Sequence, residues 1–341
     1  MNTAVQFLDA NRIRLRLDER GFTTPFSSVM LTPRFEASRH VVFLLFARQG
    51  QRPVLVAKMP RLQNDGGALK HEATILQALP TSRLEPLSTP AVIAYERFDG
   101  WPILVETAID GRPMDPAEVR RDADQCVTRV VEWLANLHHA SAAPASASWS
   151  RDLVDGPLEY FTRTFPLSSE ESWLVSRTHA LVAPLRDAGL PFVCEHGDLG
   201  HPNLLLRDDG HIGVIDWELA SLHGLVAYDL FFFLTFAAFS LARAQSSRRH
   251  VEAFAGTLLT PDAPLHRFVV AYARRCDIAL SLMTPLLVLC WARYTITLLR
   301  RLSDWENPRA TPGQAAWLRS NRYYALWRYV VEHADRLSWS D

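Results

Sequence analysis

Between Cys194 and Asn203 the chain reads C-E-H-G-D-L-G-H-P-N, so that His196-Gly197-Asp198 and Asn203 give the spacing H-G-D-x-x-x-x-N. An apolar run (Leu204-Leu205-Leu206), an Asp208-Asp209-Gly210 turn and a second apolar run, Ile212 to Ile215, follow before Asp216-Trp217-Glu218. A loop, a tight turn and a short hairpin would gather Asp198, Asn203 and Asp216 at one end of that hairpin. Two carboxylates and an amide in such a cluster are suited to holding a hydroxyl for attack beside a divalent cation on a nucleotide.

The elements that must position this cluster fall into two groups. A helix is expected from Ala4 to about Glu19, followed by strands over Val29–Thr32, His40–Ala47 and Pro53–Met59, the last two joined at Gln49-Gly50-Gln51. A helix over Asp65–Leu79 places Ala68, Leu69, Glu72, Ile75, Leu76 and Leu79 on one face. Glu72 in that apolar stripe needs a partner, since a buried unpaired carboxylate is costly. Lys58, at the end of Val54-Leu55-Val56-Ala57, is the candidate; a solvated Glu72 at the stripe's edge is the alternative. Strands Ala91–Phe98 and Trp101–Thr107 are joined by Asp99-Gly100, a strong hairpin signal.

Beyond residue 110 strands give way to helices. Asp115, Pro116 and Glu118 mark the start of one expected to run to about His139. Further helices are expected at Asp155–Phe165, Ser168–Asp187, Tyr228–Ala244, Val251–Leu258, Pro264–Arg275, Asp277–Leu302 (bent at Pro285) and Gln314–Leu337. The reading is α+β: a small antiparallel β lobe over 1–110 and a larger, mainly helical lobe over 111–341.

The whole chain narrows the function. Its 341 residues suffice for two domains, and a net charge of -1 gives no electrostatic case for nucleic acid or an anionic membrane. Cys126, Cys194, Cys276 and Cys290 are scattered without a C-x-x-C pair, which argues against zinc or a disulfide framework and for a reducing, cytoplasmic setting. The N-terminus has no apolar core of a secretory leader. The apolar runs Leu225–Ala242 and Ile278–Trp291 are interrupted by Asp229 and Pro285 and read as buried helices. Lys58 and Lys70 are the only lysines, every other strong base being arginine. A lysine here invites a role for a compact, point-like ammonium.

The pieces that carry the chemistry resemble the aminoglycoside phosphotransferase and choline kinase-like family, small-molecule kinases with the protein-kinase fold. The likeness runs from about Leu31 to Leu230 and weakens through the helical tail. It rests on Val56-Ala57-Lys58, Glu72, Ile103-Leu104-Val105-Glu106, Leu134-Ala135-Asn136-Leu137-His138, the His196–Asn203 loop with Leu204-Leu205, Ile215-Asp216-Trp217-Glu218, and Asp229-Leu230. By that resemblance Asp198 is the catalytic carboxylate, and Asn203 and Asp216 are ligands of Mg²⁺. Lys58, braced by Glu72, holds the phosphates of ATP, and Glu106 and Ala108 offer a carbonyl and an N–H to adenine. His196 and Asp229 are supports of the loop. The segment Pro33–Arg39 over the phosphates contains no glycine; Ser38 stands where many members carry a loop serine, and Arg34 or Arg39 could add charge.

Asp216 is followed within about a dozen residues by the helix at Tyr228, so a peptide-docking activation segment is missing or very short. A small-molecule hydroxyl acceptor is therefore expected: an amino-sugar, sugar or amino-alcohol. A polycationic amino-sugar would want carboxylates, of which the tail offers Asp304, Glu306, Glu332 and Asp335; choline would want an aromatic cage. Trp291, Trp305, Trp317 and Trp327 are available for the latter, although their helical spacing argues for core. Two competing readings are a nucleotide-binding pseudokinase scaffold, for which the glycine-free loop speaks, and a kinase acting on a lipid-linked acceptor. The second is motivated by Phe231-Phe232-Phe233-Leu234 and Leu286-Leu287-Val288-Leu289.

Overall fold

A five-stranded antiparallel sheet in the order β1-β2-β3-β5-β4 carries the first functional residues: β1 Ser27–Leu31, β2 His40–Phe46, β3 Pro53–Pro60, β4 Val92–Phe98 and β5 Trp101–Thr107. The structure is a computed structural model describing residues 3–32, 40–48, 50–80, 83–85, 87–302 and 309–340. Asp99 and Gly100 both take positive φ, 49° and 82°, as a two-residue turn between twisted strands requires. Lys58 on β3 pairs in register with Val42 on β2 and Leu104 on β5, which fixes its place in the sheet's centre.

Helix α1 spans Thr3–Asn11, shorter than the expected run to Glu19. From Arg12 onward apolar residues alternate with arginines instead of recurring at helical spacing. Leu15 and Leu17 are buried while Ile13 is 91% exposed, and Arg12 forks onto Asp18 at 2.8 and 2.7 Å. Phe7, Leu8, Leu15 and Leu17 pack with Phe43, Leu55, Ala57, Ile103 and Val105 in one core. Helix α2, Gly67–Ala78, buries Leu69, Glu72, Ala73, Ile75 and Leu76 on a single face; Leu69 and Ala73 meet Leu104 of the sheet.

The chain divides into two units. The first comprises Met1–Pro113 together with Pro202–Ala220; the second comprises Met114–His201 and Ser221–Asp341. The short strand β6 (Arg112–Pro113), with β8 (Leu204–Leu206) and β9 (Ile212–Val214), therefore forms a small sheet within the first unit. Gly213 is required there, because a Cβ would stand 2.4 Å from Ile109 Cγ2.

The second unit is helical. Where one helix was expected from Asp115, α3 (Pro116–Arg121) and α4 (Ala123–Ser141) are divided at Asp122. Asp122 leaves the helical region (φ -148°, ψ 73°), and its side chain accepts from Gln125 N to begin a new helix. After α5 (Gly156–Thr164) and α6 (Ser169–Val182), β7 (Val193–Glu195) pairs with β10 (Ser221–Gly224) and leads into the H-G-D loop. Helices α7 (Tyr228–Leu241), α8 (Ser247–Phe254), α9 (His266–Arg275) and α10 (Met283–Leu302) follow. The tail splits into α11 (Pro312–Ser320) and α12 (Arg322–His333), because Asn321 caps the second by accepting from Tyr323 N. Pro285 falls in the first turn of α10, where its missing N–H costs nothing.

Phe231 to Leu234 and Leu286 to Leu289 have no exposure at all. Leu280–Leu302 is the one stretch, among the described residues, long and apolar enough to cross a membrane, and 67% of its most apolar window is buried inside the protein. The runs that motivated a lipid-linked acceptor are helical core.

Candidate active site

In the first unit an ammonium is surrounded by carboxylates. Lys58 Nζ donates to Glu72 Oε1 at 2.5 Å and stands 3.5 Å from both Glu106 Oε1 and Asp216 Oδ1. Lys58, Glu72 and Glu106 are 4%, 0% and 2% exposed. Burial works against the charge on Lys58, yet Glu106, Glu72 and Asp216 together hold its pKa well above the ordinary lysine value. Burial pushes Glu106 up to about 8: the attraction of Lys58 is outweighed by desolvation aided by Glu72 and Asp216. Three carboxylates to one ammonium is an excess of negative charge, which raises the affinity of Glu106 for a proton.

Glu72 has a second role. The same Oε1 accepts Trp217 N at 3.0 Å, so α2 grips both the lysine of β3 and the backbone that follows Asp216. Asp216 itself takes φ 67°, a left-handed conformation costly for any residue but glycine and tolerated best by Asp and Asn. Ile215 N donates to Asn203 O at 3.0 Å, which closes the β8–β9 hairpin and holds Asn203 and Asp216 at its same end.

Glu106 sits on β5 opposite Val56, with its side chain turned to Lys58. The Ala108 N–H, expected at the adenine edge, donates instead to Val54 O at 3.1 Å. Ser38, Arg34 and Arg39 lie outside the described residues.

His40, Asp216 and Glu218 each bring one potential ligand atom within 4.8 Å of the others, and His40 Nδ1 is 3.5 Å from Glu218 Oε2. Two carboxylates gathered at a site with surplus negative charge make a donor set suited to a hard divalent cation such as Mg²⁺.

In the second unit the H-G-D loop is clamped from below. Asp229 accepts His196 N at 2.6 Å and Gly197 N at 3.0 Å, and all three residues are buried. Gly197 has φ 85°, a turn that brings both amides to one carboxylate. Burial raises the Asp229 pKa to about 8, with the Glu195 charge adding to it and the two amides opposing. Asp198 N donates to His196 Nδ1 at 3.3 Å, which makes Nδ1 the acceptor and places the imidazole proton on Nε2. Asp229 is in the first turn of α7, whose start is set by Ala227: its φ is 61° and its N–H donates to Tyr272 Oη at 3.1 Å.

Sequence reasoning missed the residues around this loop. Glu195 accepts Leu225 N at 2.8 Å and a two-pronged donation from Arg293 at 2.7 and 3.2 Å, while Arg293 lies over the Tyr228 ring. The signal was the one used for Glu72: a carboxylate ending the apolar strand Phe192-Val193-Cys194, and an arginine inside the apolar run of α10, each demanding a partner. Tyr294 Oη donates to Asp198 Oδ1 at 3.4 Å, and its ring meets Tyr323 edge-on at 4.5 Å. No spacing rule points from Asp198 to residues about a hundred and more positions later.

The sequence matches the model of the phosphotransferase enzyme family (APH) over residues 36–267, and the chain belongs to that family. No curated protein matches it. Among solved structures it is similar to aminoglycoside phosphotransferase APH(4)-Ia, with 15% identity over 94% of this chain and 98% of that one and a TM-score of 0.56. A thermostable mutant of that enzyme, in ternary complex with AMP-PNP and hygromycin B, matches at 15% identity over 93% and 98%, TM-score 0.54. Choline kinase LicA from Streptococcus pneumoniae matches at 14% identity over 95% and 99%, TM-score 0.50. The fold is protein-kinase-like, and the chain is a member of a phosphotransferase family.

Proposed function

We propose that this protein transfers the γ-phosphoryl group of ATP to a hydroxyl of an amino-sugar, sugar or amino-alcohol. The observation that carries the reading is Lys58, held by Glu72 and facing Asp216 in the first unit. A buried lysine braced in this way presents a fixed positive charge to phosphate oxygens. The nucleotide is assigned to the first unit, where the Glu106 carbonyl meets adenine and the Ala108 N–H does so by sharing or leaving Val54 O. The acceptor is assigned to the second, beside Asp198.

Asp216 and Asn203 hold the metal, with Glu218 at hand. Mg²⁺ supplies neutralisation of charge on the transferring phosphoryl group. Asp198 orients the acceptor hydroxyl and takes its proton as the new oxygen–phosphorus bond forms and the bond to the ADP oxygen breaks. Asp229 keeps the loop backbone from shifting, His196 fixes the Asp198 amide, and Tyr294 steadies one carboxylate oxygen. Lys58, Asp198, Asn203 and Asp216 are all present, which weighs against a pseudokinase scaffold. The free cysteines suit a cytoplasmic enzyme.

A mass-shift screen of hydroxyl-bearing metabolites with Mg-ATP tests the reading. One product heavier by a phosphoryl group is expected, and Asp198→Asn should abolish it while AMP-PNP still binds. Full transfer by Asp198→Asn, or no nucleotide binding by the wild type, would overturn it.

A further inference from the structure

One imidazole is directed at the acidic end of the first unit. His40 opens β2, where it pairs with Pro60 of β3; Val42, two residues on, pairs with Lys58. Side chains two apart on a strand share a face, so His40 lies on the face of the sheet that carries Lys58. It is 6% exposed, and its Nδ1 is 3.5 Å from Glu218 Oε2. Asp216 completes the group: one ligand atom from each of the three residues lies within 4.8 Å of the others, and among the described residues no other set of His, Cys, Asp or Glu is gathered in this way. The tail carboxylates are no rival, Glu332 pairing with Arg328 and Asp335 with Arg177; Asp304 and Glu306 lie outside the described residues.

The segment bearing the two carboxylates is held without help from the imidazole. Trp217, between them, is fully buried; its backbone N–H donates to Glu72 Oε1 and its indole Nε1 to Val214 O, each at 3.0 Å. Two residues beyond Glu218, Ala220 O is 2.7 Å from His71 Nε2 of α2. Asp216 and Glu218 therefore flank an anchored residue, while the β2–β3 register anchors His40 from the other side.

The spacing suits ligands of a single ion. Two donor atoms about 2.1 Å from a metal stand roughly 3.0 Å apart at an octahedral angle and roughly 3.4 Å at a tetrahedral one. His40 Nδ1 and Glu218 Oε2, at 3.5 Å, need almost no adjustment, and they are farther apart than an ordinary N–H···O bond of about 2.7–3.2 Å. The side chains of Asp216 and Glu218 are 36% and 19% exposed, which leaves an ion a way in and the carboxylates freedom to rotate onto it. Lys58 already answers to Glu72, Glu106 and Asp216, and Glu218 adds a fourth carboxylate to that end of the unit. The donor types narrow the ion. Oxygen ligands alone suit Mg²⁺, whereas an imidazole nitrogen among them favours first-row transition ions, Zn²⁺ more strongly than Mn²⁺.

We propose that His40, Asp216 and Glu218 form a site that takes a first-row divalent transition ion in the absence of nucleotide, and that His40 is the ligand that selects it over Mg²⁺. Asp216 is common to this set and to its pairing with Asn203, so His40 governs which ion Asp216 presents to a nucleotide. That last link rests on the kinase reading; the metal site does not.

Mn²⁺ titration of the full-length protein without nucleotide, followed by electron paramagnetic resonance, tests it. One Mn²⁺ site is expected, at least tenfold tighter than Mg²⁺ in competition, and Zn²⁺ should displace the Mn²⁺. The electron spin echo should carry modulation from a histidine nitrogen, recognised by its change when histidine is labelled with ¹⁵N. His40→Ala should weaken Mn²⁺ binding tenfold or more and remove that modulation, with a much smaller effect on Mg²⁺. Should His40→Ala not fold, the wild-type nitrogen modulation and Glu218→Gln, expected to weaken Mn²⁺ binding in the same direction, decide. Mn²⁺ bound without histidine modulation, modulation that survives in His40→Ala, or Mn²⁺ held no tighter than Mg²⁺ overturns the inference and leaves the kinase reading intact. Failure to bind AMP-PNP overturns the kinase reading and leaves the metal site standing.

Discussion

Arg293 and Glu195 form a two-pronged ion pair inside the second unit, at 2.7 and 3.2 Å, with side chains 14% and 6% exposed. Glu195 immediately precedes the H-G-D loop, so the pair ties helix α10 to the base of that loop. Burial alone would lower the Arg293 pKa; Glu195 reverses that and holds it above the ordinary value. Removing one partner leaves the other charged and dry. Glu195→Ala is expected to cost about 3–5 kcal/mol, read as an earlier urea transition of tryptophan fluorescence. A loss below 1 kcal/mol or so would mean that Arg293 finds water or another partner.

The geometry at Gly224 sharpens the same point. A Cβ at this position would stand 2.1 Å from Glu195 Cβ, in a strand paired with β7. Gly224→Ala must push Glu195 off Arg293 and Leu225 N, and is expected to destabilise by about 2 kcal/mol or more. Paired measurement with Glu195→Ala checks the cause. The double variant should lose less than the sum of the two singles, since both act on one contact.

Much of this site was legible in the sequence because its parts are local. The H-G-D-x-x-x-x-N loop, the strand ending in Asp216 and the Asp99-Gly100 turn each state their geometry within a dozen residues. Glu72 was legible for another reason: a charge on an apolar helical face implies a buried partner, and only one lysine stood on a neighbouring strand. Glu106 could not be read this way, because in an alternating strand a glutamate is as compatible with solvent as with Lys58. Helix ends at Asp122 and Asn321 were missed since apolar periodicity continues across them, and an Asx cap leaves only a weak mark on that pattern. The Tyr294–Asp198 hydrogen bond joins α10 to a loop about a hundred residues earlier, and the edge-on Tyr294–Tyr323 contact brings α12 against it, contacts only the folded chain makes.

Asp229 gives a pH dependence whose sign is fixed. Its folded pKa, raised to about 8 from an ordinary 3.8, means that the folded state keeps a proton that the unfolded state releases. Stability from this group is fully present below the unfolded value and is lost as pH rises toward 8. Asp229→Asn stays neutral, but its single oxygen can serve only one of the His196 and Gly197 amides well. The variant should be destabilised by about 1–2 kcal/mol at pH 5, and the gap to wild type should narrow by pH 9. Thermal melts across that range check it; a gap that stays constant from pH 5 to pH 9 would show Asp229 to be ionised throughout.

Tyr294 steadies Asp198 from the side, so its effect should fall on turnover. Tyr294→Phe removes one donor and keeps the ring against Phe232 and Tyr323. The expected result is a loss of roughly tenfold in kcat, the scale of one hydrogen bond of about 1.4 kcal/mol. AMP-PNP affinity should stay close to wild type. An unchanged kcat would show that the loop alone, through Asp229 and His196, suffices to place Asp198.

Lys58 is the last and most demanding case, because one substitution there acts on charge, stability and nucleotide at once. Lys58→Met keeps the aliphatic length but leaves Glu72, Glu106 and Asp216 facing one another without their cation. Their mutual repulsion must then be met by further protonation or by the metal. Transfer should fall by about 10²–10³, the scale of losing one fixed charge at a transferring group, and AMP-PNP should bind more weakly. The melting temperature should also drop, and Mg²⁺ alone should recover more of it in the variant than it adds to the wild type. Glu72→Gln separates the two roles: it keeps Lys58 charged and the Trp217 N acceptor in place, so its stability loss should be smaller, while a loosened lysine still lowers kcat. Equal behaviour of Lys58→Met and wild type in Mg²⁺-dependent melting would mean that the three carboxylates and the metal are not coupled.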